Sequence, residues 1–403
     1  MSGLKTLTRN NLLKILVLLL TITFLLYSFP NPPSPRIAGR AGDSGVSTAS
    51  SGSTRWGLEA VKAKDAWKVT KGSDEVVVAI IDSGIDKSIP AIRERMWKNQ
   101  DEIPGDGIDN DGNGYVDDVH GWDFRERDSL EENSGSLHYH GTFVGGLVAS
   151  SYDQKTGAGG VAPNISLMDL RFLDSGGRFF TSDWQKLSDA VDYAVDNGAD
   201  IINFSVYASV NPPDSVRQAM KRAESEGVLI VGISGNNGSR LGYFGAWDEI
   251  FTVGAIDKSY RVSDFSNYGP EVELVAPGEQ VLSFKPGGKL ANGSGTSFAA
   301  PHVAGSAALI LSKNPELGLS ELKQALRDSA RDIGDYGKDE QAGHGIIDTH
   351  KSLSTIATSE EPEISNQEFA GADEETGVEQ DSNFVTLQTG EGRKITFKSS
   401  EDI

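Results

Sequence analysis

The sequence predicts an α/β domain in which a mostly parallel β-sheet is covered by helices on both faces. Three observations carry that expectation. Short, continuous apolar runs such as Val76-Val-Val-Ala-Ile-Ile81 suit strands buried on both faces. Other segments place their apolar residues at helical spacing and end on glycine. The two patterns alternate along the chain, as parallel strands joined by helical crossovers require.

Taken in order, Val76–Ile81 is the first such strand. His140 opens Gly141-Thr-Phe-Val-Gly-Gly-Leu-Val-Ala149, a small-residue helix suited to close packing. Trp184, Leu187, Ala190, Val191, Ala194 and Val195 share one helix face, and Gly198 stops that helix. Ile201–Phe204 is the next strand. Val216, Ala219, Met220 and Ala223 repeat the helical pattern up to Gly227, and Val228–Val231 returns to strand. A further helix begins near Ser297, after the Gly-rich run Asn292-Gly-Ser-Gly295. No internal repeat is present.

The 403-residue chain has room for two average domains or one large α/β domain with extensions. A formal net charge of -21 argues against nucleic acid as a partner, because phosphate binding needs a basic face. It is compatible with cation binding. The chain has no cysteine, so disulfides, thiolate catalysis and Cys-ligated metals are excluded.

The ends differ in composition from the middle. Lys5, Arg9 and Lys14 lead into an apolar run that closes at Phe29, so residues 1–29 read as an export segment. Pro30 follows rather than a small-residue cleavage site. An uncleaved membrane anchor with the rest of the chain exported is therefore expected ahead of a cleaved signal peptide. Residues 30–54 are rich in Pro, Gly and Ser and read as a flexible linker. Residues 55–354 form the main domain. Residues 355–403 make an acidic, core-poor tail expected to be disordered, with a small hairpin of Phe384–Leu387 and Lys394–Phe397 as the alternative at its end.

Ser297 stands between glycines and a helix start, where free backbone N–H groups and the helix dipole favour a developing oxyanion. A serine hydroxyl is a weak nucleophile and needs a base with an orienting carboxylate. Asp82, at the end of the first strand, and His140, at a helix start, supply those groups in the chain order Asp, His, Ser. Asn236, in Ser234-Gly-Asn-Asn-Gly238, offers a side-chain N–H for the oxyanion. Taken singly, each of these is also an ordinary cap, turn or structural residue.

Together the blocks Ile80-Ile-Asp-Ser-Gly-Ile-Asp86, His140-Gly-Thr-Phe-Val-Gly145, Ser234-Gly-Asn-Asn-Gly238 and Gly295-Thr-Ser-Phe-Ala-Ala-Pro-His-Val-Ala-Gly305 resemble the signatures of subtilisin-like serine peptidases. Gly160–Asn164 and Leu274–Gly278 are similar to further blocks of that family. The resemblance implies a subtilisin-like three-layer fold. It also implies Ser297 as nucleophile, His140 as base and then acid, Asp82 as orienter and Asn236 in the oxyanion hole.

Ser205, Val206, Tyr207, Ile233, Ser234 and Gly235 fall where the family binds substrate. Tyr207 replaces an expected glycine and Ile233 an expected small residue, so a reshaped pocket is anticipated. Phe143 stands where the family usually has a second histidine. Only the low-complexity linker precedes the domain, so activation by removal of a folded inhibitory prodomain is not expected.

Asp106–Asp118 sets oxygen donors at Asp109, Asp111, Asn113, the Tyr115 carbonyl and Asp117, in the order of an EF-hand loop but without its closing glutamate. The loop resembles the calcium-binding insertion of some bacterial subtilisin-like enzymes, and structural Ca2+ is expected there ahead of a solvated acidic turn. The expected function is an exported, membrane-anchored serine endopeptidase acting on protein or peptide. Two rivals stand beside it: a catalytically weak peptide-binding module and a calcium-dependent surface scaffold. Nothing in the sequence speaks to oligomeric state.

Overall fold

The computed structural model describes residues 36–42, 46–48, 56–130, 137–355, 384–388 and 394–398. The expected export segment lies outside the described residues, as does most of the acidic tail. No helix among the described residues is long and apolar enough to cross a membrane.

The first half of the chain contributes β1 (Ile37–Ala41), β2 (Val46–Thr48), α1 (Trp56–Ala60), α2 (Ala63–Ala66), β3 (Val77–Asp82), α3 (Pro90–Arg93), β4 (Gly121–Asp123), β5 (Asp128–Ser129), α4 (Tyr139–Ala149), β6 (Ser166–Arg171), β7 (Arg178–Phe180) and α5 (Trp184–Asp196). The second half adds β8 (Ile201–Phe204), β9 (Val206–Ala208), α6 (Asp214–Ser225), β10 (Leu229–Ile233), β11 (Ile250–Ile256), β12 (Val272–Pro277), β13 (Val281–Lys285), β14 (Lys289–Gly293), α7 (Thr296–Lys313), α8 (Leu319–Ser329) and α9 (Thr349–Thr355).

Eight strands form the central sheet in the order β12-β11-β10-β8-β3-β6-β4-β5. All neighbours are parallel except β4 and β5. Alternate residues of β3 show why its sequence is apolar throughout. Val78 and Ile80 join one buried cluster with Phe143, Phe298 and Val303, whereas Val77, Ala79 and Ile81 join another with Leu187, Val191 and Met220. Helices α4 and α7 thus cover one face, and α5 and α6 the other.

From β3 the chain extends the sheet through β6 and β4 on one side and through β8 to β12 on the other. The carboxyl ends of β3 and β8 therefore border the crevice where the strand order diverges, the usual ligand position in open parallel sheets. Asp82 ends β3, and Ser205 follows β8.

The linker expected over residues 30–54 is instead strand at residues 37–41 and 46–48. Strand β1 lies antiparallel between β7 and β9, and β2 pairs with β14. Gly- and Ser-rich sequence does not organise itself, but here the free edges of β7, β9 and β14 supply the hydrogen-bond partners.

The chain's second compact unit, Ala357–Ile403, contains β15 (Phe384–Gln388) paired antiparallel with β16 (Lys394–Lys398). This is the arrangement of the hairpin alternative.

Candidate active site

Asp82 and His140 meet because the turn after β3 packs against the start of α4. A Cβ at Gly141 would lie 2.6 Å from the Gly84 carbonyl oxygen, so only glycine permits this approach. The Ser83 hydroxyl donates to the His138 carbonyl at 3.1 Å and accepts the Gly141 N–H at 2.9 Å, satisfying one free amide of the helix start. The result sets His140 Nδ1 2.8 Å from Asp82 Oδ2 and 2.9 Å from Oδ1, both side chains fully buried. Asp82 Oδ1 also accepts the Ser83 N–H at 2.7 Å. A carboxylate so held fixes the ring's tautomer, with the proton on Nδ1.

Ser297 is the second residue of α7. Gly295, with φ 153° and ψ 153°, turns the chain into the helix through a conformation open to glycine. Pro301 lies inside the helix four residues after Ser297 and has no N–H for the Ser297 carbonyl. That carbonyl instead accepts the Ser205 hydroxyl at 3.1 Å, tying the helix start to the end of β8. The Phe298 ring packs 5.5 Å from His140 and 4.3 Å from Phe143, bringing α4 and α7 together. Phe143 is thus a packing residue.

Asn236 comes from the turn after β10. Its Oδ1 accepts the Thr296 N–H at 2.8 Å and the Thr296 hydroxyl at 2.9 Å, which ties the side chain to the start of α7. Asn236 shares a cavity of about 180 Å³ with Gly42 and Gly235.

The subtilase family profile matches residues 73–345, a span that contains Asp82, His140, Asn236 and Ser297. The chain belongs to the subtilase family. It is 33% identical to subtilisin DY of Bacillus licheniformis over 70% of this chain and 94% of that protein. Identity is 34% with the halolysin-like extracellular serine protease Nep of Natrialba magadii, over 73% of this chain and 50% of Nep. It is 36% with the thermophilic serine proteinase of Bacillus sp. (strain AK1), over 68% of this chain and 60% of that protein. The chain therefore spans only half to three fifths of the length of these last two relatives.

This subtilase departs from an open cleft. Ser297 and His140 are fully buried, and β1 fills the space above them. The Gly42 carbonyl oxygen accepts the Ser297 N–H at 3.1 Å and also the Ser297 hydroxyl. Of the expected substrate-binding residues, Ser205 accepts the Gly42 N–H on its carbonyl at 3.2 Å, while Val206 and Tyr207 pair with Ala41 and Arg40. Ile233 points at Gly42, since a Cβ there would lie 2.1 Å from Ile233 Cδ1. Gly235 lines the cavity with φ 108°. Ser234 faces elsewhere, its hydroxyl 3.3 Å from that of Ser266.

In the acidic loop, carboxylate oxygens of Glu102, Asp109 and Asp111 lie within 4.8 Å of one another. Three like charges at this spacing suit a hard cation. The Gly114 N–H, with other loop amides, holds the Asp109 carboxyl below its ordinary pKa. Asp117 departs from the expected set. Its carboxylate accepts the N–H groups of Gly105, Asp106 and Gly107 at 2.8–3.2 Å and closes that turn. Asn113 donates its amide to Asp111 and Asp118, at 2.9 and 3.0 Å, and its Oδ1 accepts the Tyr115 N–H at 2.8 Å. Glu102 escaped sequence reasoning because it precedes the EF-like spacing by seven residues, with no motif to mark it.

Proposed function

We propose that this subtilase is an exported, membrane-anchored serine endopeptidase that hydrolyses peptide bonds through an acyl-enzyme. The observation that carries the reading is the buried Asp82–His140 pair beside a helix-start Ser297 whose N–H already holds a peptide carbonyl. Ser297 Oγ attacks the substrate carbonyl carbon while His140 Nε2 takes its proton. Asp82 keeps the Nδ1 proton on the ring and stabilises the imidazolium. The Ser297 N–H and the Asn236 amide receive the oxyanion, so Asn236→Ala lowers kcat by about 10²–10³-fold, the effect such a donor has in subtilisin itself. His140 then protonates the leaving amine, and water hydrolyses the ester.

The basic-then-apolar residues 1–29 support export and anchoring, and the extracellular relative from Natrialba magadii supports export. The geometry of the acidic loop supports calcium on Glu102, Asp109 and Asp111, where it would neutralise the cluster and stiffen the loop. It takes no part in the chemistry.

A fluorophosphonate probe tests the peptidase reading. The account expects the calcium-loaded wild type to be labelled on Ser297 and Ser297→Ala to stay unlabelled. A folded wild type that resists the probe and cleaves no protein would instead favour a peptide-binding module. The filled pocket at Ile233 is the observation that keeps this second reading in view.

A further inference from the structure

We propose that Asp169, inside β6, is a positioning residue for the catalytic aspartate, acting through the Ile85 N–H on the turn that follows Asp82. The proposal rests on the peptidase reading above and adds a residue to its machinery.

Strand β6 runs beside β3 up to the point where Asp82 ends it. In register, Asp169 stands next to Ile80 and Arg171 next to Asp82. The Asp82 carbonyl accepts the N–H groups of Phe172 and Leu173 at 2.7 and 2.9 Å, so the end of β6 already pins the Asp82 backbone. Side chains alternate along a strand. Leu167 joins the buried cluster that holds Ile80 and Val144, whereas Met168 and Leu170 join the opposite one. Asp169 and Arg171 therefore project to the face that carries Asp82 and His140.

The turn after Asp82 is held from two sides. Helix α4 holds it through the Ser83 hydroxyl and through Thr142, whose Oγ1 accepts the Asp86 N–H at 3.0 Å. The sheet holds it through Asp169, whose Oδ2 accepts the Ile85 N–H at 3.0 Å. Arg171 completes the support beneath. Its stem lies against Gly84, where a Cβ would be 3.2 Å from Arg171 Cδ, and its guanidinium is anchored on Asp123 at 2.7 Å.

This is a costly place for a carboxyl. Asp169 is fully buried, and β4 comes so near that a Cβ at Gly121 would lie 2.1 Å from the Asp169 carbonyl oxygen. Among the described residues Asp169 Oδ1 has no hydrogen-bond partner. Burial pushes the carboxyl up to about 7, and the charged groups that act on it are Lys87, Asp123 and Arg171. A leucine, such as Leu167 two residues earlier, would fill the position without that polar cost. What the carboxyl gains is the Ile85 N–H, which would otherwise be a buried donor without an acceptor. Asp169 thus spends stability on the turn that aims Asp82.

Release of that turn would let Asp82 drift from His140 Nδ1 while β9 and the turn after β10, which border the cleft, stay as they are. A drift of about 1 Å in a catalytic group costs about 10²-fold in rate. The loss belongs to kcat rather than KM.

The test measures kcat and KM of wild type, Asp169→Asn and Asp169→Leu on a peptide that the wild type cleaves. Fluorophosphonate labelling and urea denaturation run in parallel. Asparagine keeps an oxygen for the Ile85 N–H, and leucine does not. Asp169→Leu is expected to unfold cooperatively yet lose about 10–100-fold in kcat, with KM changed by less than about twofold. Asp169→Asn is expected to keep kcat within about threefold of wild type. If leucine does not fit, Asp169→Ala takes its place with the same expectation. A folded leucine or alanine variant with wild-type kcat overturns the proposal and leaves the peptidase reading standing. An asparagine variant as slow as the leucine one also overturns it, and so does failure of both leucine and alanine variants to fold, which would make Asp169 a residue of the fold alone. Wild type that neither labels nor cleaves any peptide overturns the peptidase reading and this proposal together.

Discussion

His302 lies inside α7, little more than one turn beyond Ser297, with its ring fully buried and its Nδ1–H donating to the Phe298 carbonyl at 2.8 Å. Burial pushes the ring down to about 4, so it is neutral in the folded protein at ordinary pH. In the unfolded chain it takes a proton near 6.5. Between these values the unfolded state binds more protons, so this histidine makes stability fall as pH drops from about 6.5 to about 4, by about 3 kcal/mol, and no further below. Asp169 acts oppositely: burial pushes its carboxyl up to about 7, which favours the folded state at low pH over an overlapping range. The two partly cancel in the wild type. Urea denaturation of Ser297→Ala with and without His302→Asn isolates the histidine, and the stability difference is expected to move by about 3 kcal/mol in favour of the His302→Asn chain between pH 7 and pH 4. A difference that does not change with pH would contradict a neutral buried ring.

At the scale of elements, what the sequence made legible depended on who supplies the partners. Strand β3 announced itself because both of its faces are buried, which leaves six buried residues in a row. The start of α7 was legible from Gly295 and Ser297, whereas nothing there marked the role of Pro301. Its missing N–H turns out to free the Ser297 carbonyl for Ser205. Strands β1 and β2 were not legible, because their pairing belongs to the edges of β7, β9 and β14 rather than to any pattern of their own. The acidic loop was half legible. Asp109 and Asp111 follow ligand spacing, whereas Asp117 closes a turn at φ 56° and Glu102 reaches in from outside the motif. Chelation should therefore lower the Tm of Ser297→Ala, and Glu102→Gln should reduce that shift while Asp117→Asn leaves a shift behind. A melting temperature indifferent to chelator would remove the cation from this account.

Across the whole molecule, the parallel sheet, the two covering layers and the Asp, His, Ser order were all written in the sequence, because each follows from patterns local to a strand or helix. The filled cleft was not, since it depends on two close approaches, at Gly39 and Gly42, between residues far apart in the chain.

The most direct measurement of the central claim is a proteome-derived peptide library digested by the calcium-loaded full-length chain, with cleavage sites read by mass spectrometry. Cuts that vanish in Ser297→Ala are the predicted result. An intact library, or cuts that persist without Ser297, would contradict it.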